Sequence, residues 1–290
     1  DGFRWPIKYW EIWNESDNCI RGGKNTWLGT AEQFFEFYCV AASYLKAKFP
    51  HLKIGGYGSC GFGIATYAPG GKRIRDFQSR EILAKRFLKC VKDAGCALDF
   101  FSFHAYDTAA NIYEQCRYAR KLVDEAGFAD TELSFNEWLC RNMRTGSAEQ
   151  AAESAATLIG LQKLGIETAM IYDAKVGHNG YAPLFHPITR LPRKPYYAFL
   201  YFNELKKLGT AVETSCTGED GVWALAAKSA DGRAALFIAN TTDEEKPLSL
   251  DLRAKVVECR LTDRNRDDAS VPLPTFLPPR SVVLVTLELP

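Results

Sequence analysis

Two glutamates in this chain close strand-like runs in the same way. One ends Tyr9-Trp10-Glu11-Ile12-Trp13-Asn14-Glu15, and the other lies in Leu133-Ser134-Phe135-Asn136-Glu137-Trp138. Each follows an asparagine and sits among aromatic residues. A carboxylate at the C-terminal end of a buried parallel strand points to the face where such folds build active sites. A lone one is more often solvated or ion-paired, so neither glutamate carries an argument by itself. Two on separate strands can face each other across a cleft, one protonated and one ionised, which is the equipment for breaking a glycosidic bond. Glu15 and Glu137 are therefore the candidate catalytic pair. Between them, Ser102-Phe103-His104-Ala105-Tyr106 ends a further strand-like run, and His104 and Tyr106, two apart, share one face of it.

These side chains need a scaffold, and residues 1–209 supply one pattern throughout. Strand-like runs at Ile7–Glu15, Lys53–Ser59, Asp99–Asp107, Glu132–Trp138 and Thr168–Lys175 read as apolar on both faces. Amphipathic stretches separate them. Thr30 with Gln33 forms a capping box ahead of Phe34, Phe37, Tyr38, Ala41 and Leu45, and Phe49-Pro50 stops that helix. Further helices carry Leu83, Phe87, Cys90 and Ala94, then Ile112, Cys116, Ala119 and Val123. Ser147 with Gln150 caps a fourth, and Pro195 to Leu208 gives a fifth. Five βα units predict a parallel sheet, either open and doubly wound or part of a (β/α)8 barrel. After Gly209 the texture changes to strand-like runs at Val222–Ser229, Arg233–Thr241, Leu248–Leu252, Val256–Thr262 and Ser281–Leu289, joined by turns such as Asp231-Gly232. Residues 210–290 therefore read as a small β-sandwich.

The motifs choose between the two sheets. Trp13-Asn14-Glu15 resembles the W-N-E signature that ends the fourth barrel strand of clan A glycoside hydrolases, where the Glu is the general acid/base and the Asn holds the sugar's 2-hydroxyl. Asn136-Glu137-Trp138 resembles the nucleophile site at the end of the seventh strand, with the right number of βα units between. The β-sandwich that follows is similar to that of glycoside hydrolase family 39, which includes β-xylosidases and α-L-iduronidases; family 51 arabinofuranosidases are the nearest rival. The resemblance implies an α/β fold with a (β/α)8 TIM barrel represented by strands four to eight over 1–209, and an accessory β-sandwich over 210–290. It implies retaining hydrolysis of a carbohydrate, β-xylosidase-like, with no cofactor and no metal. Asn14, His104, Tyr106, Trp138 and Tyr172 would contact the sugar, with His104 and Tyr106 alternatively orienting Glu137. Strand eight departs from the pattern: Ile171-Tyr172-Asp173-Ala174-Lys175 replaces the customary Trp, which gives Tyr172 that place and makes the subsite more polar.

Composition removes other classes. Formal net charge is +1, from 36 basic and 35 acidic residues, so electrostatics supply no pull toward nucleic acid or an anionic membrane. No apolar run is long enough to span a bilayer. The nine cysteines include no C-x-x-C pair and read as reduced core thiols, which points to a reducing, cytoplasmic compartment. Gly56-Tyr57-Gly58-Ser59-Cys60-Gly61 matches G-x-G-x-x-G, but a dinucleotide site needs a helix opening there, and the residues that follow read as a long loop shaping the cleft. Two rivals remain: a non-catalytic carbohydrate-binding protein on the same barrel, and a nucleotide-dependent oxidoreductase on an open sheet. A barrel without its first three strands also leaves Ile7–Glu15 and Thr168–Lys175 as bare edges, so an upstream segment or a second copy is expected to complete it.

Overall fold

A computed structural model describes residues 5–21, 26–63, 72–141, 143–175, 181–216, 218, 220–250 and 253–290, with backbone alone at 19–21 and 72–79. The chain forms two compact units interleaved in sequence, the first from Asp1–Ala105, Glu114–Trp138 and Gly165–Ile171, the second from Tyr106–Tyr113, Leu139–Leu164 and Tyr172–Pro290.

The first unit is built on five parallel strands, β1 (Tyr9–Glu11), β2 (Lys53–Ser59), β3 (Phe100–Ala105), β4 (Glu132–Trp138) and β5 (Thr168–Ile171), paired in chain order. Helix α1 (Ala31–Lys48) follows β1, α2 (Lys72–Ala94) follows β2 and α3 (Ala109–Glu125) follows β3. The Thr30 capping box forms: Thr30 Oγ1 accepts from the Gln33 amide at 3.2 Å, and Gln33 Oε1 accepts from the Thr30 amide at 2.8 Å. The buried stripe of α1 is Phe34, Phe35, Tyr38 and Ala42 rather than the expected one through Phe37, which instead packs against Trp13 and Trp27.

The sheet is not apolar on both faces. Phe101, Phe103 and Phe135 pack on one side with Tyr57 and Phe62. The other side carries hydrogen-bonded polar groups: Tyr9 donates to Glu132 at 2.8 Å, and the Ser134 and Thr168 hydroxyls meet at 2.7 Å. Two strands are also shorter than their sequence suggests. β1 stops at Glu11 because Trp13 (φ 70) and Glu15 (φ 49) adopt left-handed conformations that no strand tolerates. β5 stops at Ile171, before Tyr172.

Glycines let the backbones of β2 and β3 approach. Gly61 has φ +92, and a Cβ there would fall 2.0 Å from the carbonyl oxygen of His104. Gly61→Ala should therefore destabilise the chain by about 2–3 kcal/mol, read as a lower urea midpoint. Gly63, where a Cβ meets nothing within 4 Å, is the control and should change little. Equal, small shifts for both would mean the contact is not tight.

The second unit holds α4 (Ala148–Leu164), α5 (Lys194–Leu208) and the strands β6 (Thr210–Val212), β7 (Val222–Lys228), β8 (Arg233–Asn240), β9 (Lys246–Pro247), β10 (Lys255–Thr262), β11 (Ala269–Ser270), β12 (Phe276–Leu277) and β13 (Ser281–Glu288). Six of these form an antiparallel sheet in the order β11-β10-β13-β8-β7-β6, and β12 pairs with β9 as a short ribbon. One face packs Trp223, Leu225 and Phe237 against Ile159 of α4 and Tyr201 of α5. The alanines of α4 at 151, 152, 155 and 156 are all buried there, and small residues permit that closeness. The opposite face packs Ile238, Leu261, Val283 and Val285 under Leu277 of the ribbon. The strand expected at Leu248–Leu252 is displaced to the two residues of β9, and residues 251 and 252 lie outside the described residues.

Candidate active site

Glu15, His104 and Glu137 converge in the first unit. One carboxylate oxygen from each glutamate and a ring nitrogen of His104 all lie within 4.8 Å of one another. His104 Nδ1 stands 2.9 Å from Glu15 Oε1 and 3.8 Å from Glu137 Oε2. The histidine is 1% exposed and the two glutamates 18% and 20%, so the acids reach solvent from a buried base.

Strand geometry explains why Glu137 is there. Strict alternation would send it to the same side as Phe135. Between the pairs Ser102↔Ser134 and His104↔Glu137, β3 advances two residues and β4 three. That bulge turns Glu137 onto the polar face beside His104. Glu15 arrives differently. The left-handed Trp13 and Glu15 flank Asn14, and the turn is held by the Glu15 amide donating to Gly58 O at 2.8 Å, by Asn18 Nδ2 donating to Glu15 Oε2 at 3.0 Å, and by the Thr26 hydroxyl donating to Glu15 O. Strained, over-determined backbone of this kind collects at functional sites.

The charges are coupled. Burial alone would pull His104 down, but its hydrogen bond to Glu15 and the charges of Glu137, Glu15 and Glu11 raise it above its ordinary value of 6.5. Burial pushes Glu15 up, yet the bond and charge of His104, the Cys60 thiol and Arg80 hold it below 4.5. Between the two shifts the proton sits on the His104 ring and Glu15 is a carboxylate. By linkage, the Glu15 contribution to stability fades as pH falls through its lowered pKa, and that of His104 fades as pH rises through its raised one. The pair is intact between them. The alkaline limb of kcat/KM on aryl glycosides should therefore lie above pH 6.5 and move to lower pH in His104→Asn. An unmoved limb would disconnect His104 from the transferable proton.

Three residues that the sequence did not mark support the pair. Glu11 accepts from Asn136 Nδ2 at 2.8 Å and from the Ser102 hydroxyl, so one carboxylate ties β1 to β3 and β4 across the glycines of β2. Asn136 Oδ1 is buried without a hydrogen-bond partner among the described residues. Asp17, 0% exposed, accepts from Ser59 Oγ at 2.6 Å and from the Cys60 amide at 2.9 Å, which fixes the loop that carries the Cys60 thiol to Glu15. That loop is the G-x-G-x-x-G segment. Its glycines serve close backbone approach, and among the described residues the next helix is α2, which begins at Lys72; residues 64–71 lie outside the described residues.

The remaining expected sugar contacts divide. Asn14 is exposed, and a Cβ on Gly58 would lie 3.4 Å from its Oδ1. Trp138 is 0% exposed and stacks on Phe135 with ring centroids 6.3 Å apart; the structure makes it a core residue, not a sugar platform. Tyr106 and Tyr172 belong to the second unit, where their rings meet edge-on at 6.5 Å. Glu15, His104 and Glu137 are also spaced to hold a divalent cation, and among the described residues they are the one such cluster.

No protein-family model and no curated protein matches this chain. Solved structures do. A glucosidase from Croceicoccus marinus is 19% identical, with a TM-score of 0.71 over 99% of this chain and 70% of its own. A family 39 β-xylosidase from Caulobacter crescentus is 21% identical, with a TM-score of 0.66 over 97% of this chain and 66% of its own. A family 51 α-L-arabinofuranosidase from Bifidobacterium longum is 17% identical, with a TM-score of 0.70 over 98% of this chain and 68% of its own. The chain thus has the fold of the clan A glycoside hydrolases, with a family 39 β-xylosidase among the structures it resembles.

Proposed function

We propose that this chain is part of a retaining glycoside hydrolase: strands four to eight of a (β/α)8 barrel followed by a β-sandwich, acting on a carbohydrate in the manner of a β-xylosidase. The observation that carries the reading is the approach of Glu15 and Glu137 oxygens to within 4.8 Å around His104. Retaining enzymes hold their carboxyl groups about 5–5.5 Å apart, and inverting ones about 6.5–9.5 Å. In the first step a Glu137 oxygen forms a bond to the anomeric carbon while the bond to the leaving oxygen breaks, and that oxygen takes the proton held by Glu15 and His104. In the second, Glu15 removes a proton from water, the water oxygen bonds to the anomeric carbon, and Glu137 leaves as carboxylate. A 2-fluoroglycoside slows the second step, so the ester should accumulate on the peptide that contains Glu137 and be read by mass spectrometry. An adduct on Glu11 instead would overturn the assignment.

This reading places three further strands against the edges at β1 and β5, where Trp5, Ile7, Trp10 and Met170 are 70%, 51%, 46% and 54% exposed. Upstream residues are the proposed source and a second copy the alternative; light scattering separates them. A non-catalytic carbohydrate-binding role has one observation in its favour: Glu15 is held below its ordinary pKa, whereas an acid catalyst needs its proton. Sugar binding without turnover of any aryl glycoside would decide for it.

A further inference from the structure

Two cysteines distant in sequence meet in the first unit. Cys96 Sγ lies 3.2 Å from Cys39 Sγ across 57 positions of chain. Cys39 sits on α1, and Cys96 on the connection from α2 to β3. The Cys90 thiol of α2 is also within hydrogen-bonding reach of Cys39. Other cysteines turn to oxygen: Cys140 meets the Thr157 hydroxyl at 3.3 Å, and Cys216 donates to Val222 O at 3.0 Å.

The backbone holds the Cys39–Cys96 pair from both sides. Gly95, with φ +60, ends α2 in a Schellman turn: its amide donates to Lys92 O at 3.1 Å, and the Cys96 amide donates to Val91 O at 3.3 Å. That turn fixes Cys96. The Tyr38 hydroxyl donates to Ala97 O at 3.0 Å, which ties the residue before Cys39 to the residue after Cys96. Two sulfurs held inside contact distance need little rearrangement to bond. A metal ion fits less well, since thiolate zinc sites take four ligands. Among the described residues the one trio of potential ligands is Glu15, His104 and Glu137.

We propose that Cys39 and Cys96 form a disulfide that fastens α1 to the α2–β3 connection. The oxidant is a low-molecular-weight disulfide such as oxidised glutathione. Its S–S bond breaks, a new one forms between Cys39 and Cys96, and the two thiol protons pass to the two glutathione molecules released. Burial, with the Cys96 thiol alongside, pushes the Cys39 thiol up to about 12, so thiolate is scarce and exchange is slow. The bond is a structural clasp rather than a quick sensor. It closes a loop containing all of β2 and α2, and β2 includes the Gly58 carbonyl that holds the Glu15 amide. Cys96 precedes the start of β3, whereas Glu137 lies near the end of β4, so the clasp works at the edge of the parallel sheet opposite the site.

The test oxidises the 290-residue chain in a mildly alkaline glutathione buffer, blocks free thiols with iodoacetamide and maps the digest by mass spectrometry. A Cys39–Cys96 cross-link should appear. Tm should rise by roughly 5–10 °C, the scale for closing a long loop, and return when dithiothreitol is added. Cys96→Ser should remove both the cross-link and the shift. Cys90→Ser should keep both, as should Cys116→Ser, whose cysteine shares a tryptic peptide with Cys96. The comparison of oxidised with reduced parent chain needs no variant, so it decides the matter even if Cys96→Ser misfolds. A parent chain that stays uncross-linked, a stable glutathione adduct on either cysteine, a Cys39–Cys90 bond instead, or a cross-link that leaves Tm unmoved would each overturn the clasp.

Discussion

Replacing Glu137 with alanine should lower turnover of aryl glycosides by roughly 10⁴–10⁶-fold, the scale seen when a hydrolase loses its covalent nucleophile. The substitution removes the atom that bonds to the anomeric carbon, and no neighbour can take its place. Glu15 is bonded to His104 and turned by its left-handed backbone, and Glu11 is bonded to Ser102 and Asn136. The cavity left by the side chain should admit a small anion. Added azide should then attack from the vacated side and yield a glycosyl azide of inverted configuration, identified by NMR of the product. Loss of the Glu137 charge should also let the His104 pKa drop, since that charge helps to raise it. Residual activity within about a hundred-fold of the parent would point to acid/base work rather than nucleophilic attack, because proton transfer contributes about 10²–10⁴-fold.

Glu15→Ala should cost about 10²–10⁴-fold, unevenly. Substrates whose leaving group is already a weak base need little protonation and should lose least, while alkyl glycosides should lose most. Azide should rescue the second step, where no base is needed to activate an anion, and give a product of retained configuration. The opposite stereochemistry of the two rescued products distinguishes the roles of the glutamates in one assay. Equal losses on good and poor leaving groups, with no rescue, would sink the acid/base assignment of Glu15. The Cys60 thiol, whose pKa burial drives far above the usual range, stays protonated and offers no substitute base.

Much of this arrangement is legible in the sequence where local rules dominate. The Thr30 capping box, the run Lys53–Ser59 and the run Glu132–Trp138 form as their patterns predict, because each is fixed by residues a few positions apart. What was not legible depends on partners distant in the chain. Alternation places Glu137 on the wrong face, and only the extra residue in β4 relative to β3 brings it to His104. The hydrogen bond from His104 goes to Glu15, where the resemblance led to Glu137. Trp138 looks like a platform because aromatic residues beside a glutamate suggest one, yet the bulge turns its ring onto the face of Phe135, where the two stack.

The carboxylate of Glu11 acts as a proofreader of strand alignment. A single residue of slip between β1 and β2 would carry Glu11 to the opposite face and put Trp10 where Ser102 and Asn136 now donate. The mistaken sheet would strand a charge against aromatic side chains and leave two donors unanswered, an error far dearer than the loss of one apolar contact. A leucine at that position would fill space equally well in either alignment. Charge therefore buys accuracy here: an acid that reaches across two strands distinguishes the sheet that aligns Glu15 with Glu137 from its neighbours one step away, before any sugar is present to select it.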